Sequence, residues 1–108
     1  MFKVVSNNIT ITRGDSGTLN IRIEDPAGND YIMKDGDKAV LTVKQSTADK
    51  DALFQLPIVD GVAKIRPENT NTLDYGTYVY DCQLTTADGD VYTFISPHQF
   101  KVAEEVTF

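Results

Sequence analysis

In TYVYDCQLT, residues 77–85, Tyr78, Tyr80, Cys82 and Leu84 occupy every second position, and Val79, Asp81 and Gln83 fill the places between. A side-chain period of two belongs to a β-strand, because alternate residues point to opposite faces of a sheet. The pattern recurs along the chain. Ile9 and Ile11 alternate with Thr10 and Thr12, and Leu19, Ile21 and Ile23 with Thr18, Asn20, Arg22 and Glu24. Ala39, Leu41 and Val43 alternate with Val40, Thr42 and Lys44, and Phe100 and Val102 flank Lys101. Each segment has one apolar face and one wet face, as antiparallel sheets require when only one side is covered. Their β-branched and aromatic residues suit a pleated, half-buried surface.

Turn signals separate the segments. DPAGND (25–30) joins two extended pieces, with Pro26 presetting φ and Gly28 free to take a positive φ. KDGDK (34–38) and ADGDV (87–91) carry Asp-Gly pairs, the second between strong strands as in a hairpin. QSTADKDALF (45–54) and PENTNTLDYG (67–76) are the two places for a short helical turn. In LDYGTYVYDC, the spacing of Asp74, Gly76 and Tyr78 matches the start of a sandwich strand at which a tyrosine crosses the corner to bond backbone upstream. An antibody domain has cysteine two residues after that tyrosine; here the position is Tyr80, and tryptophan is absent. Short strands with regular turn signals predict an all-β fold, an immunoglobulin-like antiparallel β-sandwich of about seven to nine strands. One such domain accounts for residues 1–108.

A chain this long hides roughly two thirds of its surface on folding, so one core suffices without a metal or disulfide. Cys82 is the only cysteine and leaves no internal disulfide. Ten basic against sixteen acidic residues give a net charge of −6, which repels phosphate backbones and sets nucleic acid aside as a partner. The apolar stretch of MFKVVSNNIT is too short for a signal peptide or a membrane span, so synthesis and folding in the cytoplasm and no membrane partner are expected.

No residues stand out for chemistry. Arg13-Gly14-Asp15-Ser16 spells an integrin tetrapeptide, but Gly14, Asp15, Ser16 and Gly17 are turn residues between two strands, and the turn reading is preferred. Asp35 with Asp37, or Asp88 with Asp90, supplies paired oxygens without the alternating ligands of a calcium loop. His98 has no cysteine or second histidine to complete a transition-metal set, and no nucleophile elbow occurs. Cys82 falls on the inward face as a small apolar residue. Tyr31, Tyr75, Tyr78, Tyr80 and Tyr92 are material for a sugar-stacking platform, although Tyr78 and Tyr80 suit the core better; Tyr92 and Phe94 are expected on one strand face. No catalytic, cofactor-binding or metal-binding residue is assigned, and no enzyme is expected.

The three stretches ITITRGDSGTLNIRI, GDKAVLTVKQS, and LDYGTYVYDCQLTTADGDVYTF running into FKVAEEVT cover most of the chain. Together they resemble small immunoglobulin-like structural proteins of tailed phages and prophages of Gram-positive bacteria. They are also similar to the N-terminal domain of phage baseplate upper proteins. The resemblance implies a virion component of tail, baseplate or head that works by assembling with other virion proteins, with a homo-oligomer or docking role expected. A baseplate upper protein continues into helices and a receptor-binding platform, whereas this sequence stops at Phe108, so a stand-alone accessory protein is expected. The alternative function is a small module binding carbohydrate or another host-surface ligand; a calcium-dependent adhesion domain is a weaker third. The apolar ends, Met1-Phe2 and Val106-Thr107-Phe108, either pack on a neighbouring subunit or complete the outer strands.

Overall fold

The inward positions of the alternating segments meet in a single apolar layer. Ile9, Ile11, Leu41, Val43, Cys82 and Phe100 are fully buried, and Leu19, Ala63 and Ile65 close over them from the opposite side. The computed structural model describes residues 2–5, 7–24 and 27–104, the first four as backbone only. Pro26, Met1 and Val106–Phe108 lie outside the described residues, so the readings placed on them go no further here.

Among the described residues the chain forms strands β1 (Phe2–Val5), β2 (Asn8–Thr12), β3 (Gly17–Asn20) and β4 (Lys38–Lys44). These are followed by β5 (Phe54–Ile58), β6 (Val62–Ile65), a one-turn helix α1 (Pro67–Thr70), β7 (Gly76–Thr85) and β8 (Val91–Ala103). Six strands make one sheet in the order β1-β2-β8-β7-β4-β5, and β3 pairs with β6 in a second, two-stranded sheet. The fold is the β-sandwich that the alternation requires.

Among the described strands every pairing is antiparallel except one: β2 runs parallel to β8, from Ile9 opposite Phe100 to Thr12 opposite Ala103. The reason lies in the chain path. After β2 the chain turns a corner into β3 of the other sheet, which leaves the second edge of β2 open to the last strand. β3 is also shorter than its sequence pattern. Pairing with β6 covers Gly17 to Asn20 and stops, although Ile23 beyond it is still buried. Period two thus marks the burial of Leu19 and Ile23 more faithfully than it marks ladder hydrogen bonds.

Of the two segments suited to a helical turn, only 67–76 contains one, with Pro67 at its first turn, where a missing N–H costs nothing. Segment 45–54 has a single hydrogen-bonded turn, Asp49 N–H to Ser46 O at 3.2 Å, followed by bends that lead into β5. β5 and β6 are too short and mixed to announce themselves, yet Leu56, Ile58, Ala63 and Ile65 all point inward. β8 carries two irregularities against β7. Tyr80 faces His98 but Cys82 faces Ile95, and Gln83 then faces Thr93. Each step gives β8 one extra residue, so Phe94 and Ile95 both pack against the core beside Cys82, while Tyr92 lies opposite inward-facing Leu84.

The tyrosine corner is in place. The Tyr78 hydroxyl donates to the Asp74 carbonyl oxygen at 2.7 Å, while its ring is buried. One ring thus fills core volume and ties down the loop that enters β7. Replacing Tyr78 by Phe keeps the ring and deletes only this bond, at a cost of about 1 kcal/mol. For a domain of this size Tm should fall by roughly 4–8 °C, with an unaltered β circular dichroism spectrum. An unchanged melting curve would show that the corner bond carries no stability.

Candidate interaction surface

Loops from both sheets converge at one end of the sandwich, and a single carboxylate holds two of them together. In the 34–38 turn the Asp37 N–H donates to the Lys34 carbonyl at 3.0 Å, and Gly36 adopts φ +89°. The tip of the β7–β8 hairpin, 86–90, is closed by Thr86 N–H to Asp90 O (2.8 Å) and Gly89 N–H to Thr86 O (2.9 Å). The two turns touch: a Cβ on Gly36 would stand 2.8 Å from the Ala87 Cβ. Side-chain substitution there meets both a forbidding backbone and an occupied space.

Asp37 is the clasp. Its Oδ2 accepts from the Tyr31 hydroxyl (2.6 Å) and the Lys34 N–H (3.0 Å), and its Oδ1 from the Ala87 N–H (3.2 Å). The Tyr31 bond, then the Lys34 backbone bond, hold the Asp37 carboxyl below its ordinary range. The same hydrogen bond, with burial second, pushes the Tyr31 hydroxyl upward. The Asp-Gly turns foreseen in the sequence are present, but Asp37 uses its oxygens on the protein itself. Among the described residues no three His, Cys, Asp or Glu side chains converge on a point.

Beside the clasp lies an open groove of about 570 Å³, bounded by residues 31–33, the start of β4, and the end of β5 with its following turn. Ile23 and Ile58 are buried beneath it, and Ile32 and Val59 stand on its walls 82% and 62% exposed. Asp37 and Asp60 also line it. The β5–β6 turn is pinned beneath the exit of β3, where the Ile21 N–H donates to the Gly61 carbonyl at 2.6 Å. Gln55 and Pro57 face outward on β5, and Pro57 offers no N–H to an incoming strand. The loops at this end are acidic. Among the described residues, Glu24, Asp30, Asp35, Asp37, Asp60, Asp88 and Asp90 stand against Arg22, Lys34 and Lys38, a local balance of −4 in a chain of −6. Arg22 is itself committed, bonded to Asp30 and, at 2.5 Å, to Glu24.

The other singled-out residues have structural posts. Asp15 N–H donates to Thr12 O at 3.0 Å, with Gly14 at φ +83°, so the Arg-Gly-Asp letters form a β-turn at the corner between the sheets. The Gly14 N–H donates to the Oγ1 of fully buried Thr70 (2.9 Å), and the Arg13 guanidinium lies 4.2 Å from the Tyr75 ring centroid. Arg13 is therefore turned onto the protein. Cys82 is fully enclosed, and burial, followed by the nearby Asp81 charge, pushes its thiol up to about 12. His98 is half-buried, its ring 6.4 Å from that of Tyr80 and its Nδ1 2.5 Å from the Ser96 carbonyl.

The tyrosines are dispersed. Tyr78 and Tyr80 are buried, and the Tyr80 hydroxyl donates to the Asn7 carbonyl. Tyr75 lies under Arg13, Tyr31 bonds Asp37, and Tyr92 is 55% exposed. The groove itself was not foreseen. Its only trace in the sequence is two apolar fragments, Tyr31-Ile32-Met33 and Pro57-Ile58-Val59, set against acidic turns.

No protein-family model matches this chain, and no curated protein matches it. Among solved structures, the chain is similar to CopC from Methylosinus trichosporium OB3b at 12% sequence identity and a TM-score of 0.47, over 92% of this chain and 86% of that one.

Two outcomes follow from the site's electrostatics. Because the folded-state pKa of Asp37 is depressed, its stabilisation is present above the ordinary carboxylate range and lost as pH falls through the lower, folded value. Asp37→Asn should lower Tm at pH 7, and its deficit against the parent should shrink as pH is taken below about 4; a deficit independent of pH would remove the charge from the account. Cys82 should resist iodoacetamide at pH 8 in the native protein and react fully in denaturant.

Proposed function

We propose that this chain is a non-enzymatic structural component of a tailed-phage or prophage virion, in tail, baseplate or head, acting through protein–protein assembly. The observation that carries the reading is the exposed apolar pair Ile32 and Val59, gathered on one groove at one end of the sandwich. Isolated exposed aliphatics are ordinary on protein surfaces, but exposed aliphatics collected on one concave patch mark places where another molecule is bound. The resemblance of the three strand-and-turn stretches to phage immunoglobulin-like proteins supplies the biological setting.

The chemistry available suits adhesion between proteins. A standard specific interface covers ~800 Å² per partner, which a sandwich of this size accommodates on one end or one sheet face. The unpaired strand edges add a second mode of contact. Among the described residues β5 pairs only with β4, and β3 and β6 pair only with each other. Pro57 blunts the β5 edge against uncontrolled pairing, which leaves the β3 and β6 edges and the side chains around the groove for contact.

Mass spectrometry of particles purified by density gradient, after prophage induction of a strain carrying the gene, tests the reading. The chain should band with the particles at constant stoichiometry to a tail or head protein. Its absence from washed particles, with the soluble protein present in the same lysate, would overturn the assignment.

A further inference from the structure

The groove between residues 31–33 and the β5–β6 turn combines two properties that together select a partner. Its walls offer Ile32 and Val59 to solvent, and its apolar floor is formed by Ile23 and Ile58. Asp37 and Asp60 line it together with Lys38, and Asp37 binds the Ala87 N–H, which brings the Asp88 and Asp90 turn alongside. An occupant must bury an apolar side chain and tolerate, or answer, a field of carboxylates.

From this we infer that the groove is a docking site for a cationic segment of another protein, one that presents a leucine- or phenylalanine-like anchor flanked by lysine or arginine. Charge complementarity decides among occupants. A second copy apposing the same end would set two surfaces with a local balance of −4 against each other, and like charges at an interface oppose association. A nucleic acid would meet the same repulsion. A basic segment gains twice: the carboxylates steer its approach, and the Ile32–Val59 walls cover its anchor. Asp37 serves without being free. Its hydrogen bonds keep it ionised and fixed in place, so the field at the groove is permanent at neutral pH.

The inference deepens the assembly reading and rests on it for its biological setting, but the groove can be tested separately. Isothermal titration would use the full chain with three capped peptides: Lys-Lys-Leu-Phe-Lys-Lys, the same with both apolar residues changed to serine, and Glu-Glu-Leu-Phe-Glu-Glu. The first should bind, with an affinity that falls as salt rises from about 50 to 300 mM. The serine and glutamate peptides should bind at least about tenfold more weakly. The double variant Ile32→Ser with Val59→Ser, both positions being largely exposed, should melt as the parent does and lose about tenfold in affinity for the first peptide. Asp88→Asn with Asp90→Asn should weaken binding and flatten its salt dependence.

Equal affinity for all three peptides, no binding of any, or unaltered binding by the serine variant would overturn the docking site. The same serine variant, introduced into the inducible strain, separates the two ideas. Particles that carry it at parental stoichiometry would sink the groove as an assembly contact while leaving the virion assignment standing. Selective peptide binding by a chain absent from particles would do the reverse.

Discussion

Burial between two sheets of unequal width governs this molecule. The six-stranded sheet supplies Ile9, Leu41, Val43, Cys82 and Phe100 to the layer, and the two-stranded sheet answers with Leu19, Ala63 and Ile65. The narrow sheet cannot cover the broad one alone. Corners, turns and loop residues must do the rest: Tyr78 at the start of β7, Thr70 beneath the 12–15 turn, and Tyr31 and Met33 beside β4. The hydrogen bonds of Tyr78, Thr70 and Asp37 serve that covering work. They fasten loops over the rim of the layer rather than display groups to solvent.

The two ends of the sandwich solve the problem differently. At the corner between β2 and β3 the polar groups turn inward: Arg13 stacks on Tyr75, and Gly14 bonds a buried threonine. At the other end, the described residues between β3 and β4 divide their apolar side chains between core and solvent. Ile23 reaches the core, Met33 reaches it in part, and Ile32 is left outside. Asp37 then fixes this arrangement against the hairpin tip. The clasp thus has a double effect, since it stabilises the loop and makes the exposed apolar residues a permanent, shaped surface rather than a transient one.

Electrostatics at that end follow from turn chemistry. Aspartate and glycine are favoured in tight turns because the side chain bonds nearby backbone and glycine tolerates positive φ. Bringing several such turns together concentrates carboxylates at one end of the sandwich. In the docking proposed for this end, the field would act at long range on a basic partner's approach, whereas the groove would act only on contact. The two contributions to recognition are therefore separable in salt dependence and in fit.

Much of this was legible in the sequence. Alternation identified the inward residues of β2, β4, β7 and of β8 from Phe100 onward, because a strand half exposed to water must write its burial in period two. The spacing of Asp74, Gly76 and Tyr78 announced the corner, and the Asp-Gly pairs announced the turns. What stayed hidden depended on neighbours distant in the chain. The parallel pairing of β2 with β8 joins residues about ninety positions apart, a contact no local pattern encodes. The bulges in β8 arise from fitting it against β7, and the four-residue extent of β3 from the length of β6. The groove exists only because 31–33 and 57–61 lie side by side. Local sequence determines which side chains avoid water, since that preference belongs to each residue; tertiary structure alone decided which exposed ones stand together, since that depends on where the whole chain has placed its turns.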